Sequence, residues 1–124
     1  MFRAHVEEEF EAAHANGPEG HKCRTMHGHT WLAEVEFEYP ESMLDENGWG
    51  PDFGAIKAII KPLDHNELNS HFAGRFPPSA ENLAKWLWNE AASVVGLTRG
   101  RAQNLVVRIH EGGGNFVEYR DEMR

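Results

Sequence analysis

The sequence predicts an α+β fold in which an antiparallel four-stranded sheet carries two helices. Residues 2–14 and 27–39 alternate between apolar and polar side chains, two later stretches have helical spacing, and residues 104–111 and 116–120 alternate again around a glycine turn. The predicted order is β-β-α-α-β-β. Because the strands flank the helices and do not alternate strictly with them, an antiparallel sheet is favoured over a parallel one.

The first two strands carry histidines in phase with their apolar residues. One face of residues 2–14 is made by Phe2, Ala4, Val6, Phe10, Ala12 and His14. One face of residues 27–39 is made by His27, His29, Trp31, Ala33, Val35, Phe37 and Tyr39. A period of two is typical of a strand that buries one face. Glycine and proline at residues 17–20 interrupt the pattern, which predicts an antiparallel pair joined by a loop.

Two helices are predicted between the strand pairs. Asp52 is a typical N-cap of a short helix that Pro62 ends, and its apolar stripe is Phe53, Ile56, Ile59 and Ile60. Ser79 caps a longer helix that Gly96 ends, and its apolar side is Leu83, Leu87, Ala91, Val94 and Val95. Residues 63–78 are expected to form an irregular loop.

Length and charge narrow the class of protein. The 124 residues fit one domain, residues 1–124, and the net charge of −8 argues against general nucleic-acid binding. No apolar run approaches the roughly 20 residues that span a bilayer, and charged residues from position 3 onward argue against a signal peptide. The lone Cys23 cannot form an internal disulfide. We therefore expect a cytoplasmic protein without a membrane partner.

The polar face of the second strand bears on assembly. Glu34, Glu36 and Glu38 share this face, and a small sheet also has two open edges. Association edge to edge into a ring would remove the edges and enclose the polar face. A monomer with a solvated sheet face is the alternative. We expect a homo-oligomer, and native mass spectrometry showing only monomer would contradict this expectation.

Three histidines form a candidate metal site. His27 and His29 are two residues apart on a strand, so both side chains leave the same face, and His14 ends the preceding strand in the apolar phase. A single such histidine is most simply a half-buried imidazole, but three in phase around one loop favour a metal. Three histidines with an open fourth position are typical of a catalytic zinc site.

Cys23 lies in the loop between these strands, beside Lys22 and Arg24. Neighbouring cations and a nearby metal favour the thiolate, which is the form that acts as a base or nucleophile. Two alternatives to a base or nucleophile remain open from the residues alone. Cys23 would then be a small buried apolar residue, or it would be a fourth zinc ligand that closes the site.

Asp64, His65 and Glu111 are further candidates. A carboxylate can hold an imidazole in one tautomer, but adjacent residues rarely bond to each other, so the Asp64-His65 pair is weak evidence alone. Glu111 follows the third strand, either as a solvated strand end or as an anchor for a ligand's N–H groups. No spacing signal marks the remaining histidines, which are expected as surface or packing residues: His5, His71 and His110. Trp86 and Trp88 on the longer helix are expected as core or subunit contacts.

Together these motifs resemble the 6-pyruvoyltetrahydropterin synthase / 6-carboxytetrahydropterin synthase family. The resemblance covers nearly the whole chain and is carried by His14, Gly-His-Lys-Cys-Arg-Thr-Met-His-Gly-His at 20–29, Leu-Asp-His-Asn-Glu-Leu-Asn at 63–69, Pro-Ser-Ala-Glu-Asn at 78–82, and Glu111. Cys-x3-His-Gly-His together with Leu-Asp-His is a specific combination. The short spacing from cysteine to histidine looks most like the bacterial 6-carboxytetrahydropterin branch, which feeds queuosine and other deazapurine synthesis.

The resemblance implies an assembly and a role for each candidate residue. Members of the family have the tunnelling fold, in which trimers close a twelve-stranded barrel and two trimers stack into a hexamer. The family's zinc ligands correspond to His14, His27 and His29, and its pterin anchor to Glu111. Its general base corresponds to Cys23, and its proton relay, supplied by a neighbouring subunit, to Asp64 and His65.

The resemblance also implies a zinc-dependent carbon–oxygen lyase. Its substrate is 7,8-dihydroneopterin triphosphate, and in the carboxy branch the products are 6-carboxytetrahydropterin, acetaldehyde and triphosphate. Lys22 and Arg24 are candidate cations for the triphosphate. The alternatives are a 6-pyruvoyltetrahydropterin synthase and a non-catalytic, zinc-stabilised pterin-binding module.

Three positions depart from the family pattern. The family's Gly-Met-Val-x-Asp-Phe is Gly-Trp-Gly-Pro-Asp-Phe at residues 48–53, and Ser79 replaces a threonine while keeping a capping hydroxyl. The threonine that follows the anchoring glutamate is Gly112 here, so the chain loses a hydroxyl and gains backbone freedom beside the expected pterin pocket.

Overall fold

The computed structural model describes residues 1–98 and 100–121. Within them the chain forms five strands and three α-helices: β1 (Phe2–His14), β2 (His27–Tyr39), α1 (Phe53–Ile60), β3 (Asn66–Glu67), α2 (Leu68–His71), α3 (Ala80–Val95), β4 (Gln103–His110) and β5 (Phe116–Tyr119). The sheet order is β3-β1-β2-β4-β5. The predicted α+β class and the order of its four main strands and two main helices are confirmed. No helix in the described ranges is both long enough and apolar enough to span a bilayer.

The long hairpin of β1 and β2 is the frame of the molecule. The two strands pair without interruption from Phe2 opposite Tyr39 to His14 opposite His27. Their shared apolar face is buried beneath the helices except at the exposed Phe2, and Phe10 stacks on Trp31 with ring centroids 5.8 Å apart. Because the register has no bulge, the alternation read from each strand places the two apolar faces on the same side.

The expectation of an irregular loop over residues 63–78 is wrong in part. Asn66–Glu67 forms a short strand that runs parallel to β1 opposite Ala12 and Ala13, and Leu68–His71 forms one helical turn. The sheet therefore has a fifth strand, and it is not wholly antiparallel. A two-residue strand has no alternation that a sequence pattern could reveal, so tertiary contacts alone define it.

The capping residues act as predicted. The Asp52 side chain accepts a hydrogen bond from Gly54 N, and the Ser79 hydroxyl accepts one from Asn82 N. Gly96 ends α3 in the left-handed conformation at φ 67°. Trp88 is buried, and its indole N–H donates to Leu105 O at 2.9 Å, which ties α3 to β4.

The opposite face of the sheet carries a network of charged side chains. The Arg108 guanidinium lies within 3.4 Å of Glu34, 3.0 Å of Glu36 and 2.8 Å of Glu118. His5 donates to Glu36, and His110 contacts Glu34 at 2.6 Å. These contacts pair the acidic face with cations from β1 and β4.

Replacing Glu36 with glutamine is expected to make stability less dependent on acid pH. The hydrogen bond from Arg3, with that from Arg108, lowers the pKa of Glu36 from 4.5 to about 2. A lowered carboxyl pKa stabilises the fold above the unfolded value, and this contribution is lost as pH falls through the folded value.

Near neutral pH we expect the free energy of unfolding, measured by urea denaturation, to fall by about 1 kcal/mol in the variant. The expected loss is no larger because Arg3, one partner of Glu36, is well exposed. The difference from wild type should shrink as pH falls from about 4.5 towards about 2. The matched control is Glu46→Gln at an exposed turn position. If the difference in the free energy of unfolding between the variant and wild type did not change with pH, the lowered pKa assigned to Glu36 would be wrong.

Candidate metal centre

Three imidazoles converge where the β1–β2 hairpin ends. The register puts His14 opposite His27 and Ala12 opposite His29, so the three rings meet on the helix-covered face of the sheet. One ligand nitrogen from each ring lies within 4.8 Å of the other two. His14 is buried, whereas His27 and His29 are half-buried. The structure thus brings together the three predicted metal residues.

Backbone carbonyls set the tautomers of two of these rings. His14 Nδ1 lies 2.7 Å from Pro78 O, and His27 Nδ1 lies 2.7 Å from Thr25 O. A carbonyl oxygen can only accept, so each Nδ1 carries a proton, and in the neutral ring the lone pair then lies on Nε2. This arrangement is typical of metal-binding histidines, in which the non-ligating nitrogen is held by a carbonyl or carboxylate.

The residues present fit a zinc ion. His14 Nε2 and His29 Nε2 are buried and have no hydrogen-bond partner among residues 1–98 and 100–121, which is costly for a polar atom unless it meets a ligand. The pKa of His29 is lowered, chiefly because burial disfavours the charged ring, and the neutral ring is the form that binds metal. Three neutral imidazoles are a typical zinc donor set that leaves a fourth position open.

Glu111 stands beside these nitrogens. Its Oε1 lies 3.1 Å from His14 Nε2 and 3.7 Å from His29 Nε2, although neither contact is aligned as a hydrogen bond. The residue directly follows β4, and Gly112 to Gly114 turn the chain away with positive φ angles. The half-exposed carboxylate therefore lies against two of the three histidines.

Cys23 lies close by in the sequence but outside the cluster of ligand atoms. It sits half-buried in a 3-10 turn, Lys22–Arg24, where its N–H donates to His21 Nδ1 at 3.1 Å and its carbonyl accepts from Asn16 N at 2.8 Å. Among the described residues, the group whose ligand atoms lie within 4.8 Å of one another at this site contains the three histidines and not Cys23. The side chains of Lys22 and Arg24 are exposed on either side of it.

Asp64 and His65 lie at the outer edge of β1. Asp64 Oδ1 accepts from Glu11 N at 2.8 Å, and this hydrogen bond is the main cause of the lowered pKa of Asp64. Asp64 Oδ2 lies 2.9 Å from His65 Nδ1, so the two neighbours do contact each other. His65 has φ 56° and a side chain that is 81% exposed. Within the described ranges, no hydrogen bond or ion pair joins this pair to Cys23 or to the three histidines.

An open cleft of about 520 Å³ lies beside this pair and is lined by both His29 and His65. Other lining residues come from both strands of the hairpin and from β3, among them Glu11, Thr30 and Glu67.

Reasoning from the sequence missed two groups at the site, namely the carbonyls of Pro78 and Thr25, because a backbone carbonyl has no residue-type signal. It also missed that the His21 side chain caps the turn by accepting from Cys23 N. The position of this histidine two residues before the cysteine was the available signal.

Comparison with known proteins finds a matching family and similar sequences. The pattern of the family described as 6-pyruvoyl tetrahydropterin synthase matches residues 3–122. The 6-carboxy-5,6,7,8-tetrahydropterin synthase of Synechocystis sp. is 32% identical over 105 residues, covering 78% of this chain and 81% of the relative. The protein of the same name from Haemophilus influenzae is 26% identical, covering 98% of this chain and all of the relative.

The fold matches a solved structure as well. The 6-pyruvoyl tetrahydropterin synthase of Caenorhabditis elegans superposes with a TM-score of 0.71 at 20% identity, covering 98% of this chain and 96% of that one. This likeness confirms the predicted tunnelling fold. With the match that spans nearly every residue, it shows that the chain belongs to the 6-pyruvoyl tetrahydropterin synthase family.

Proposed function

We propose that this protein is a zinc-dependent 6-carboxytetrahydropterin synthase. It would convert 7,8-dihydroneopterin triphosphate and one water molecule to 6-carboxy-5,6,7,8-tetrahydropterin, acetaldehyde and triphosphate. The observation that carries the proposal is the three-histidine cluster beside the Glu111 carboxylate, in which two buried Nε2 atoms accept no hydrogen bond from the described part of the chain. The names of the Synechocystis and Haemophilus relatives favour the carboxy product over the pyruvoyl product.

His14, His27 and His29 would hold the zinc ion through their ring nitrogens. When bound there, zinc acts as a Lewis acid that holds side-chain oxygens of the substrate and acidifies the neighbouring C–H. The carbonyls of Pro78 and Thr25 hold the Nδ1 side of two of the imidazoles, which would orient their Nε2 atoms towards the metal.

Glu111 would anchor the pterin ring next to this centre. A carboxylate accepts hydrogen bonds and cannot donate when ionised, so it complements the adjacent N–H groups of a pterin. Its position against His14 supports this role, because an anchored ring would then lie next to the histidine cluster. The open turn at Gly112 removes the side chain that the family has there.

Cys23 would act as the general base that removes a proton from the substrate side chain. The His21 and Asn16 hydrogen bonds hold its turn, and Lys22 and Arg24 flank it in the chain. Asp64 would hold the His65 imidazole while that ring returns a proton to the substrate.

The Asp64-His65 pair would serve a neighbouring copy of the chain. His65 is exposed at the sheet edge, and β3 covers β1 at Ala12 and Ala13 within the described part of the chain. Most of the β1 edge is thus available to another copy, which supports a homo-oligomer, either a trimer or a dimer of trimers. We place the reaction in the cytoplasm, in the supply of tetrahydropterin for queuosine and related deazapurines.

The test is product identification by mass. Zinc-loaded protein is incubated with 7,8-dihydroneopterin triphosphate in the presence of an aldehyde trap. We expect 6-carboxytetrahydropterin and trapped acetaldehyde. A pyruvoyl product would reassign the branch, and no turnover by zinc-loaded protein would favour a pterin-binding module.

In the same assay, the double variant Lys22→Ala/Arg24→Ala should raise KM about tenfold, the effect of losing roughly 1.4 kcal/mol of ground-state binding.

A further inference from the structure

We propose that Asn69 is a positioning residue for the metal centre, holding the backbone next to His14 so that its imidazole stays in place. The inference rests on the zinc site of the proposed function, but it concerns a residue outside that site. Asn69 lies in α2 and is half-buried.

The side-chain amide of Asn69 binds both backbone groups of one residue. Its Oδ1 accepts from Ala15 N at 2.8 Å, and its Nδ2 donates to Ala15 O at 2.9 Å. The two residues are 54 positions apart in the sequence, so the contact is purely tertiary. Two hydrogen bonds from one planar amide restrain both the position and the orientation of the Ala15 backbone.

Ala15 lies where the sheet stops supporting the metal-binding strand. The β1–β2 ladder ends at the pair His14 and His27, and a loop with glycine and proline follows. Within the loop, Asn16 N donates to Cys23 O, which is a contact between loop residues. Asn69 instead ties the backbone on the loop side of His14 to α2, while the Pro78 carbonyl holds the imidazole itself.

The segment before Asn69 is anchored along the same strand edge. Asp64 Oδ1 and the His65 N–H both bind the backbone of Glu11, and β3 then pairs with Ala12 and Ala13. The buried side chain of Leu68 holds the start of α2 against the core. Asn69 is thus the last of a series of contacts that runs along β1 to the metal ligand.

Such a contact matters because metal affinity depends on prearranged ligands. Groups that orient ligands without touching the metal typically change affinity by about 10- to 100-fold when they are mutated. Asn69 acts through the backbone next to the ligand, so we expect Asn69→Ala to weaken zinc binding by about tenfold, the lower end of that range.

The experiment compares zinc affinity by chelator competition and the absorption bands of cobalt-substituted protein. Asn69→Ala removes both hydrogen bonds. Asn69→Asp keeps the size and the acceptor but loses the donor to Ala15 O, and it serves if the alanine variant does not fold. Both variants should bind zinc more weakly and shift the cobalt bands at saturation, which a loss of stability alone would not do.

Two asparagine variants are matched controls. Asn66→Ala removes a single hydrogen bond, from Nδ2 to Pro62 O, in the same segment, and Asn89→Ala removes one on the exposed side of α3. Both should keep the wild-type zinc affinity. Equal loss in Asn66→Ala, or unchanged zinc affinity and cobalt spectrum in folded Asn69 variants, would overturn the proposal while leaving the proposed function intact. Failure of the wild-type protein to bind zinc would overturn both.

Discussion

His29→Ala is expected to lose zinc binding by well over 100-fold, together with turnover. The change removes one of three imidazoles whose ligand atoms lie within 4.8 Å of one another. The loss should exceed the roughly 10- to 100-fold that is typical of residues that only orient a ligand. The fold should survive because His29 is only half-buried, whereas the core on this face of β2 begins at the buried Trp31. Zinc content after dialysis and the rate of product formation measure the two effects.

The matched control is His71→Ala, which removes an exposed imidazole from α2. It should keep both zinc and turnover. Circular dichroism of both variants separates metal loss from unfolding. If His29→Ala retained stoichiometric zinc with wild-type affinity, the three-histidine centre would be wrong and a donor such as the neighbouring Glu111 would have to replace it.

Cys23→Ala is expected to lose turnover while retaining zinc. Removal of a general base typically costs about 10² to 10⁴ in rate, and Cys23 lies outside the group of ligand atoms at the metal centre. The half-buried side chain sits in a turn held by backbone contacts to Asn16 and His21, so truncation should leave the turn in place. Single-turnover product formation and zinc stoichiometry, measured on one preparation, check both halves.

Cys23→Ser is the conservative companion, since it keeps the size of the side chain but replaces the thiol by a much weaker acid. It should resemble the alanine variant in rate. Full activity in either variant would remove Cys23 from the mechanism. Release of zinc from both would mean instead that the cysteine closes the site as a fourth ligand, which is the arrangement of a structural centre.

Much of the fold could be predicted because it is encoded by local periods. The alternation in residues 2–14 and 27–39 identified both strands of the hairpin, and side chains of equal phase in paired strands meet on one face. The same rule brought His14, His27 and His29 into one candidate site before any distance was known. Asp52 and Ser79 marked helix starts for an equally local reason, since each bonds a backbone N–H within three residues.

The rest of the site could not be predicted in this way. Asp64 and His65 were chosen as an adjacent pair, yet their strongest contacts are to the backbone of Glu11 on another strand. The short strand after them has no period of its own. The roles that we assign to Cys23, Asp64, His65 and Glu111 came from resemblance to the family and stay predictions until the variants above are measured.

The fold class, the long hairpin and the shared face of three histidines follow from side-chain periodicity, because it fixes which residues point the same way. The groups that surround these histidines depend on contacts between distant parts of the chain. The Glu111 carboxylate, the Pro78 carbonyl and the Asn69 amide reach His14 or its neighbour from distant parts of the chain, the last two across 64 and 54 residues. Contacts at such separations arise from packing of the helices and the sheet edge, which no local pattern encodes.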